Sequence, residues 1–265
     1  MRHAVFVAPF AELAEPAAIV DLAQAAEESG WDAVFLWDHM IRIETDLVGD
    51  TFVSLTAIAA ATRRIRIGAM VTPITRRRPQ RLARETVAID RLSAGRLVVG
   101  LGLGVDSGGE LTKFGEIVDP VERGDRLDEG AELLLALWSG EPVEFRGRHF
   151  TADGVRFLPT AHQQPHPPLW FAARGEARRP LRRAGRLGDG IHALEVDRDG
   201  LRRMLDIVEV ERGTLEGFDI AVAVEPGTDG AEWDGCGVTW AMHSFESVAP
   251  AADILATIAA GPPSS

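Results

Sequence analysis

The sequence predicts an α/β protein built as a closed (β/α)8 (TIM) barrel. Three observations carry that prediction. Strand and helix patterns alternate from end to end of the 265 residues, and a single barrel typically takes about 250. Eight of the strands read as parallel, each joined to the next by a longer crossover. Several of them run out into glycine-rich or polar loops, the usual setting of a cofactor site.

The first strand is Ala4 to Ala8, and a helix follows from about Pro16 to Ser29 with Ile19, Leu22 and Ala26 on one face and Gly30 as its stop. Ala33 to Trp37 forms the second strand, ending in Asp38-His39, and a short helix from about Thr51 to Thr62 turns Phe52, Leu55 and Ile58 inward. Ile65 to Val71 is the third strand, bounded by Thr72-Pro73. Pro79 can open the next helix without losing a hydrogen bond, because the first helical N–H is unpaired anyway. Leu82, Ile89 and Leu92 give that helix its stripe, and Ser93-Ala94-Gly95 ends it. The fourth strand, Arg96 to Leu101, runs into Gly102 and Gly104.

Regularity pauses from Val105 to Pro168, which reads as an insertion or lid between the fourth and fifth strands of one domain spanning 1–265. It holds a helix, about Val121 to Ser139 with Leu127, Leu134 and Leu137 inward, a hairpin from Val143 to Phe157, and the segment PTAHQQPHPP. The remaining strands are Leu169 to Ala173, Gly190 to Leu194, Ile220 to Val224 and Val238 to Met242. Helices lie near Arg179 to Arg186, at Leu201 to Val210 with Leu201, Met204, Leu205 and Val208 inward, and at about Ser247 to Ala260, before a frayed tail, Pro262 to Ser265.

In such a barrel the chemistry sits at the C-terminal ends of the strands. The second strand delivers Asp38 and His39 there, either as a proton-exchanging imidazole with its partner or as a structural pair. Arg76, Arg77 and Arg78 follow the third strand and suit an anionic ligand or a solvated charge run. Gly102 and Gly104 would let backbone approach a flat ligand, although the glycines of this region never spell the dinucleotide fingerprint. After the fifth strand, Arg174-Gly175-Glu176 opens a helix whose N–H groups would meet a phosphate. His192 is expected inside or lining the barrel.

Composition narrows the function classes. A formal charge of −12 argues against a nucleic-acid partner. No run approaches the roughly 18 apolar residues of a membrane helix, and Ala4 to Phe10 reads as a strand and not as a signal peptide. Cys236, the only cysteine, allows no intrachain disulfide and points to the cytoplasm. Lys113 is the only lysine and there is no tyrosine, which disfavours Schiff-base and phenol chemistry. Ala8-Pro9-Phe10 offers no paired histidines, so no catalytic metal is expected.

Four segments carry a family resemblance: GWDAVFLWDH at 30–39, RP-x-x-LARE-x-V-x-x-D-x-LS-x-GRL with its following glycines, Glu110…Phe114-Gly115, and PPLWFAARGE at 167–176. On them the chain resembles the luciferase-like monooxygenases, barrel enzymes that use FMN or coenzyme F420. The resemblance implies a flavin-type oxidoreductase acting on a small organic substrate, by hydride transfer or oxygenation, as a homodimer. It implies a ring across the barrel mouth flanked by Asp38-His39, by Met70, Val71 and Thr72 around a non-proline cis peptide, and by Gly102–Gly104. The coenzyme phosphate would meet Arg174, Gly175 and Glu176, and His39 would stand near the reactive face. The Trp37-Asp38-His39 motif and the arginines favour F420 over FMN. The region after Val210 is short for the family, which leaves a non-catalytic flavin-binding protein as the alternative, with a metal-dependent barrel hydrolase behind it.

Overall fold

Eight parallel strands close into a barrel in the order β1 (Arg2–Val7), β2 (Ala33–Leu36), β3 (Arg66–Pro73), β4 (Leu97–Gly102), β7 (Leu169–Arg174), β8 (Gly190–Leu194), β9 (Asp219–Val224), β10 (Trp240–Ser244), and back to β1; β5 (Val143–Arg146) and β6 (Thr151–Val155) pair apart from it as a hairpin. The structure, a computed structural model, describes residues 1–263; Ser264 and Ser265 of the expected tail lie outside the described residues. Around the barrel run α1 (Pro16–Glu28), α2 (Thr51–Ala61), α3 (Pro79–Leu92), α4 (Pro120–Trp138), α5 (Arg178–Leu187), α6 (Arg198–Arg212) and α7 (Ala251–Ala259). The β9–β10 connection carries only a 3-10 turn, Ala231–Trp233, where a seventh outer helix would stand in a full set of eight. None of the helices in the described residues is long and apolar enough to cross a membrane.

Each strand divides its side chains between two cores. Val5, Val7, Val34 and Leu36 face the helices, while Ala4, Phe6, Ala33 and Phe35 fill the barrel. Inside, Phe35, Trp170 and Trp240 meet edge to face with centroids 5.5–5.7 Å apart, a favoured aromatic geometry that plugs the lower barrel. The expected helix stripes are buried with one exception. Leu92 is half exposed, because it falls on the outward face of the last turn of α3, where Ile89 and Asp90 take the buried face. The last helix begins at Ala251 and not near Ser247, since Pro250 takes its N-cap.

The 105–168 stretch divides into three parts. Helix α4 packs between α3 and α5 as the barrel's own fourth helix. The β5–β6 hairpin lies on α4, its turn held by Glu129, which accepts from the N–H groups of Arg148, His149 and Phe150. The Pro/His/Gln segment is tied at the N-terminal face, where buried Asp90 accepts from His162 N, Gln163 N and Gln163 Nε2. Only the loop before α4 stands at the mouth.

The β3–β4 register shifts between Ala69 and Thr72, and the Met70–Val71 peptide there is cis, as the resemblance implied. This irregularity accounts for the glycines. A Cβ on Gly102 would sit 2.5 Å from Val71 Cγ2, and one on Gly104 would sit 2.8 Å from Pro73 Cβ. The neighbouring strand thus bars a side chain at both positions, a second reason for glycine beside the expected close approach of a ligand to the backbone. Gly102→Ala is therefore expected to lower stability by about 1–3 kcal/mol through overpacking against a stiff β-branched side chain. Urea unfolding measures it. Unchanged stability with weakened ligand binding would leave ligand contact as the reason for these glycines.

Candidate active site

The site is built from the loops after β2, β3 and β4. Beyond β2 the chain places Asp38, 5% exposed, and His39 at the mouth. After β3 a 3-10 turn, Ile74–Arg76, turns Arg76 back across the opening. The β4 loop is shaped by Asp106, whose Oδ1 accepts from Leu111 N at 2.6 Å and Thr112 N at 3.1 Å; those bonds hold its carboxyl below the usual range. That turn points the preceding side chain, Glu110, into the protein.

Glu110 is 1% exposed and is the hub of the site. It accepts from His39 Nδ1 at 2.7 Å, Met40 N at 3.1 Å and Arg76 Nη1 at 2.7 Å. Arg76 also donates to the Asp38 carbonyl at 2.6 Å, and Arg77 Nη2 lies 3.3 Å from both Asp38 carboxylate oxygens. Burial pushes the Glu110 carboxyl upward, but the His39 bond, the charges of His39 and Arg76 and the Met40 N–H together outweigh it and hold the group below its ordinary value. Glu110 is thus an ionised acceptor, so the His39 Nδ1 facing it carries the proton and donates. Nε2 becomes the nitrogen available to a ligand.

The sign of that shift fixes a pH dependence. A carboxyl whose folded pKa is depressed contributes stability that is fully present above its unfolded pKa of about 4.3 and is lost as pH falls through the folded value. Glu110→Gln is expected to cost stability at neutral pH, with the gap to the wild type closing as pH drops below about 4. Denaturant unfolding at stepped pH reads it, and a gap that stays constant would mean the charge contributes nothing.

Around His39 the wall is aromatic. Its ring lies 5.9 Å from Trp37 and 6.0 Å from Phe10, and Trp37 lies 5.8 Å from Phe6. Arg42 covers Trp37 at 5.7 Å. Of the other expected residues, Met70 is buried in the barrel interior with Val71 packed on it, and Thr72 is buried with a hydroxyl that has no partner.

Arg76 and Arg77, expected to meet a ligand anion, are instead spent on Glu110 and Asp38. A buried carboxylate needs a cation, and these two supply it. Arg174, Gly175 and Glu176 stand on the far side of the mouth but do not open the helix. Arg174 ends β7 and pairs with Glu195 at 3.1 Å, Gly175 forms a turn at φ +52°, and Glu176 pairs with Arg203 at 2.6 Å. Helix α5 begins at Arg178 behind Ala177, which offers no side-chain cap, so the N–H groups of Arg178 and Arg179 are open to an anion, while Pro180 has none to give.

A sequence model of the family described as luciferase-like monooxygenase matches residues 1–228. The chain belongs to this family. It is 34% identical over 185 residues to an F420-dependent glucose-6-phosphate dehydrogenase of Nakamurella multipartita, covering 68% of this chain and 52% of that protein. It is 34% identical over 177 residues to the F420-dependent hydroxymycolic acid dehydrogenase of Mycobacterium tuberculosis, covering 65% and 47%. The chain spans about half the length of the curated relatives it matches. Among solved structures, monooxygenase RslO1 from Streptomyces bottropensis superposes with TM-score 0.77 at 21% identity, covering 97% of this chain and 96% of that one. An F420-dependent secondary alcohol dehydrogenase in complex with an F420–acetone adduct gives 0.75 at 22%, covering 97% and 81%. At these identities the structures attest the fold, so this luciferase-like chain shares the barrel of both monooxygenases and dehydrogenases.

Proposed function

We propose that this protein is an oxidoreductase that binds a flavin-type coenzyme, F420 in preference to FMN, across the barrel mouth and acts on a small organic substrate by hydride transfer. One observation carries the reading: His39 is fixed through Nδ1 to a buried, ionised Glu110, with Nε2 left to exchange a proton at the mouth. The residues fit such a coenzyme. The cis-bulged Met70-Val71-Thr72 wall is apolar apart from an unpartnered Thr72 hydroxyl, which suits a flat ring with a polar edge. Arg174 and the uncapped start of α5 suit a phosphate-bearing tail.

A bound coenzyme of this type supplies a hydride acceptor or donor. The chain's own residues do the rest. When a substrate carbinol is oxidised, its C–H leaves as hydride and its O–H proton passes to His39 Nε2. The imidazole's orientation is held by Glu110, and Glu110 by Arg76 and Met40 N. Asp38 is a positioning residue in this reading, anchoring Arg77 beneath the loop.

The homodimer expected from the family resemblance is tested by sedimentation velocity. A lone cysteine suits a cytoplasmic setting.

Fluorescence titration of the purified chain with F420 and with FMN, separately, tests the proposal. Micromolar binding, tighter for F420, is the expected result. Binding of neither removes the reading, and binding without turnover across a broad panel of alcohols and ketones makes the protein a carrier of the coenzyme.

A further inference from the structure

His192 lies in the middle of β8 between Ile191 and Ala193, both of which face the helices, so strand alternation turns its ring into the barrel. It is 2% exposed, and neither ring nitrogen has a hydrogen-bond partner. Its cross-strand neighbours are Ala172 in β7 and Ala221 in β9, both short apolar side chains. The one ring against it is Phe6, edge-on at 5.5 Å. Phe6 in turn touches Trp37, whose indole N–H is also buried without a partner, and Trp37 touches His39. A continuous run of ring contacts therefore links His192 to the proton-exchanging face of the site.

An orphaned buried imidazole is costly, and a leucine would fill the same volume without that cost. A buried imidazole with no partner in the protein calls for a polar atom from outside the chain. Its charge is constrained by the surroundings. Burial pushes His192 down to about 4, so at neutral pH the ring is uncharged, with one N–H to give and one lone pair to receive. The rest of the interior cluster, including Phe6, Met70 and Met242, is apolar and has no charge to offset an ion.

We propose that His192 is a substrate-recognition residue that takes a neutral hydroxyl or carbonyl oxygen of an otherwise apolar small molecule at the floor of the barrel mouth. This rests on the oxidoreductase reading for its place in a reaction, but the binding itself does not require a coenzyme. Leu194 and Ala223, one step above His192 on the neighbouring register, are half-buried and exposed, so the floor opens toward the mouth. Specificity would follow from the same geometry, because a molecule lacking the oxygen leaves His192 unpaired.

The experiment uses the full chain with ¹⁵N-labelled histidine and three probes: cyclohexanol, cyclohexanone and, as the oxygen-free control, cyclohexane. In the coenzyme-free protein, the alcohol or the ketone is expected to move the His192 ring ¹⁵N resonances, and cyclohexane is not. His192→Leu is expected to weaken binding of that probe about three- to tenfold, the worth of one hydrogen bond, with F420 and FMN affinity unchanged. His192→Gln, which keeps a donor and an acceptor, is expected to retain most of the binding. The leucine variant should melt no lower than the wild type, since it removes an unpaired polar group. The proposal is overturned by unmoved resonances, by equal probe affinity in the leucine variant, or by a lower melting temperature, which would mean the ring already has protein partners. It is also overturned if F420 or FMN alone shifts His192 and excludes the probes, for then the group belongs to the coenzyme. If neither coenzyme binds, the oxidoreductase reading fails by itself, and the probe result for His192 still stands or falls on its own.

Discussion

His39→Ala is expected to lower turnover by about a hundred- to ten-thousandfold, the range of a general acid or base, while F420 or FMN affinity stays within a few-fold of the wild type. The split follows from the geometry. The imidazole is bound to Glu110 by one nitrogen and offers the other to the mouth, so its removal takes away a proton-exchange group and little of the surface on which a ring would lie. Glu110 and Arg76 remain paired at 2.7 Å after the change, so the loop is not expected to collapse. His39→Gln restores a hydrogen bond to Glu110 without a titrating nitrogen and should not rescue turnover. Steady-state kinetics alongside fluorescence titration decide the matter. Equal losses in turnover and coenzyme affinity would make His39 a wall of the binding site and nothing more.

The barrel was legible because its strands and helices are specified locally. Gly190–Leu194 and Pro79–Leu92 fall where their apolar patterns and flanking residues put them. His39 was legible for a related reason: the barrel rule turns the residues that come after a strand into mouth residues. Partner choice was not legible in the same way. Arg76 and Glu110 lie 34 positions apart, His39 and Glu110 71, and nothing in either local pattern says that they meet. Glu110 stands out in the sequence only as one anchor of a resemblance. The signal that could have raised it further is Asp106 with Gly108-Gly109, an acceptor and a glycine turn that reverse the chain just before it. Arginines after β3 looked like ligand contacts because a sequence shows charge but not which carboxylate has been buried beside it. The packing need for the alternating glycines was hidden in the same way, since the strand that bars a side chain there is the neighbouring one.

Arg96→Met is expected to cost about 3–5 kcal/mol, a large part of the roughly 5–15 kcal/mol that holds a domain folded. Arg96 is 8% exposed at the N-terminal face of the barrel, opposite the mouth. Its guanidinium donates to Ser93 O at 2.7 Å, Thr62 Oγ1 at 2.8 Å, Ile65 O at 2.7 Å, and Ala59 O and Thr62 O at 3.0 Å each. One side chain therefore ties the C-terminal ends of α2 and α3 to the start of β3, placing a cation where two helix dipoles are negative. Burial lowers its pKa, yet an arginine stays charged, and its hydrogen bonds among the described residues all go to carbonyls and a hydroxyl, none to a carboxylate. Glu27, whose charge it feels, is already accepting from the N–H groups of Arg63, Arg64 and Ile65. Methionine would fill the volume but strand the carbonyls, whereas Arg96→Lys, with its donors gathered at one point, should recover only part of the loss. Urea unfolding is the measurement. Because stability is concentrated at this face and chemistry at the other, the folded Arg96→Met protein should bind coenzyme as the wild type does. A loss under about 1 kcal/mol would show that water replaces the guanidinium at little cost.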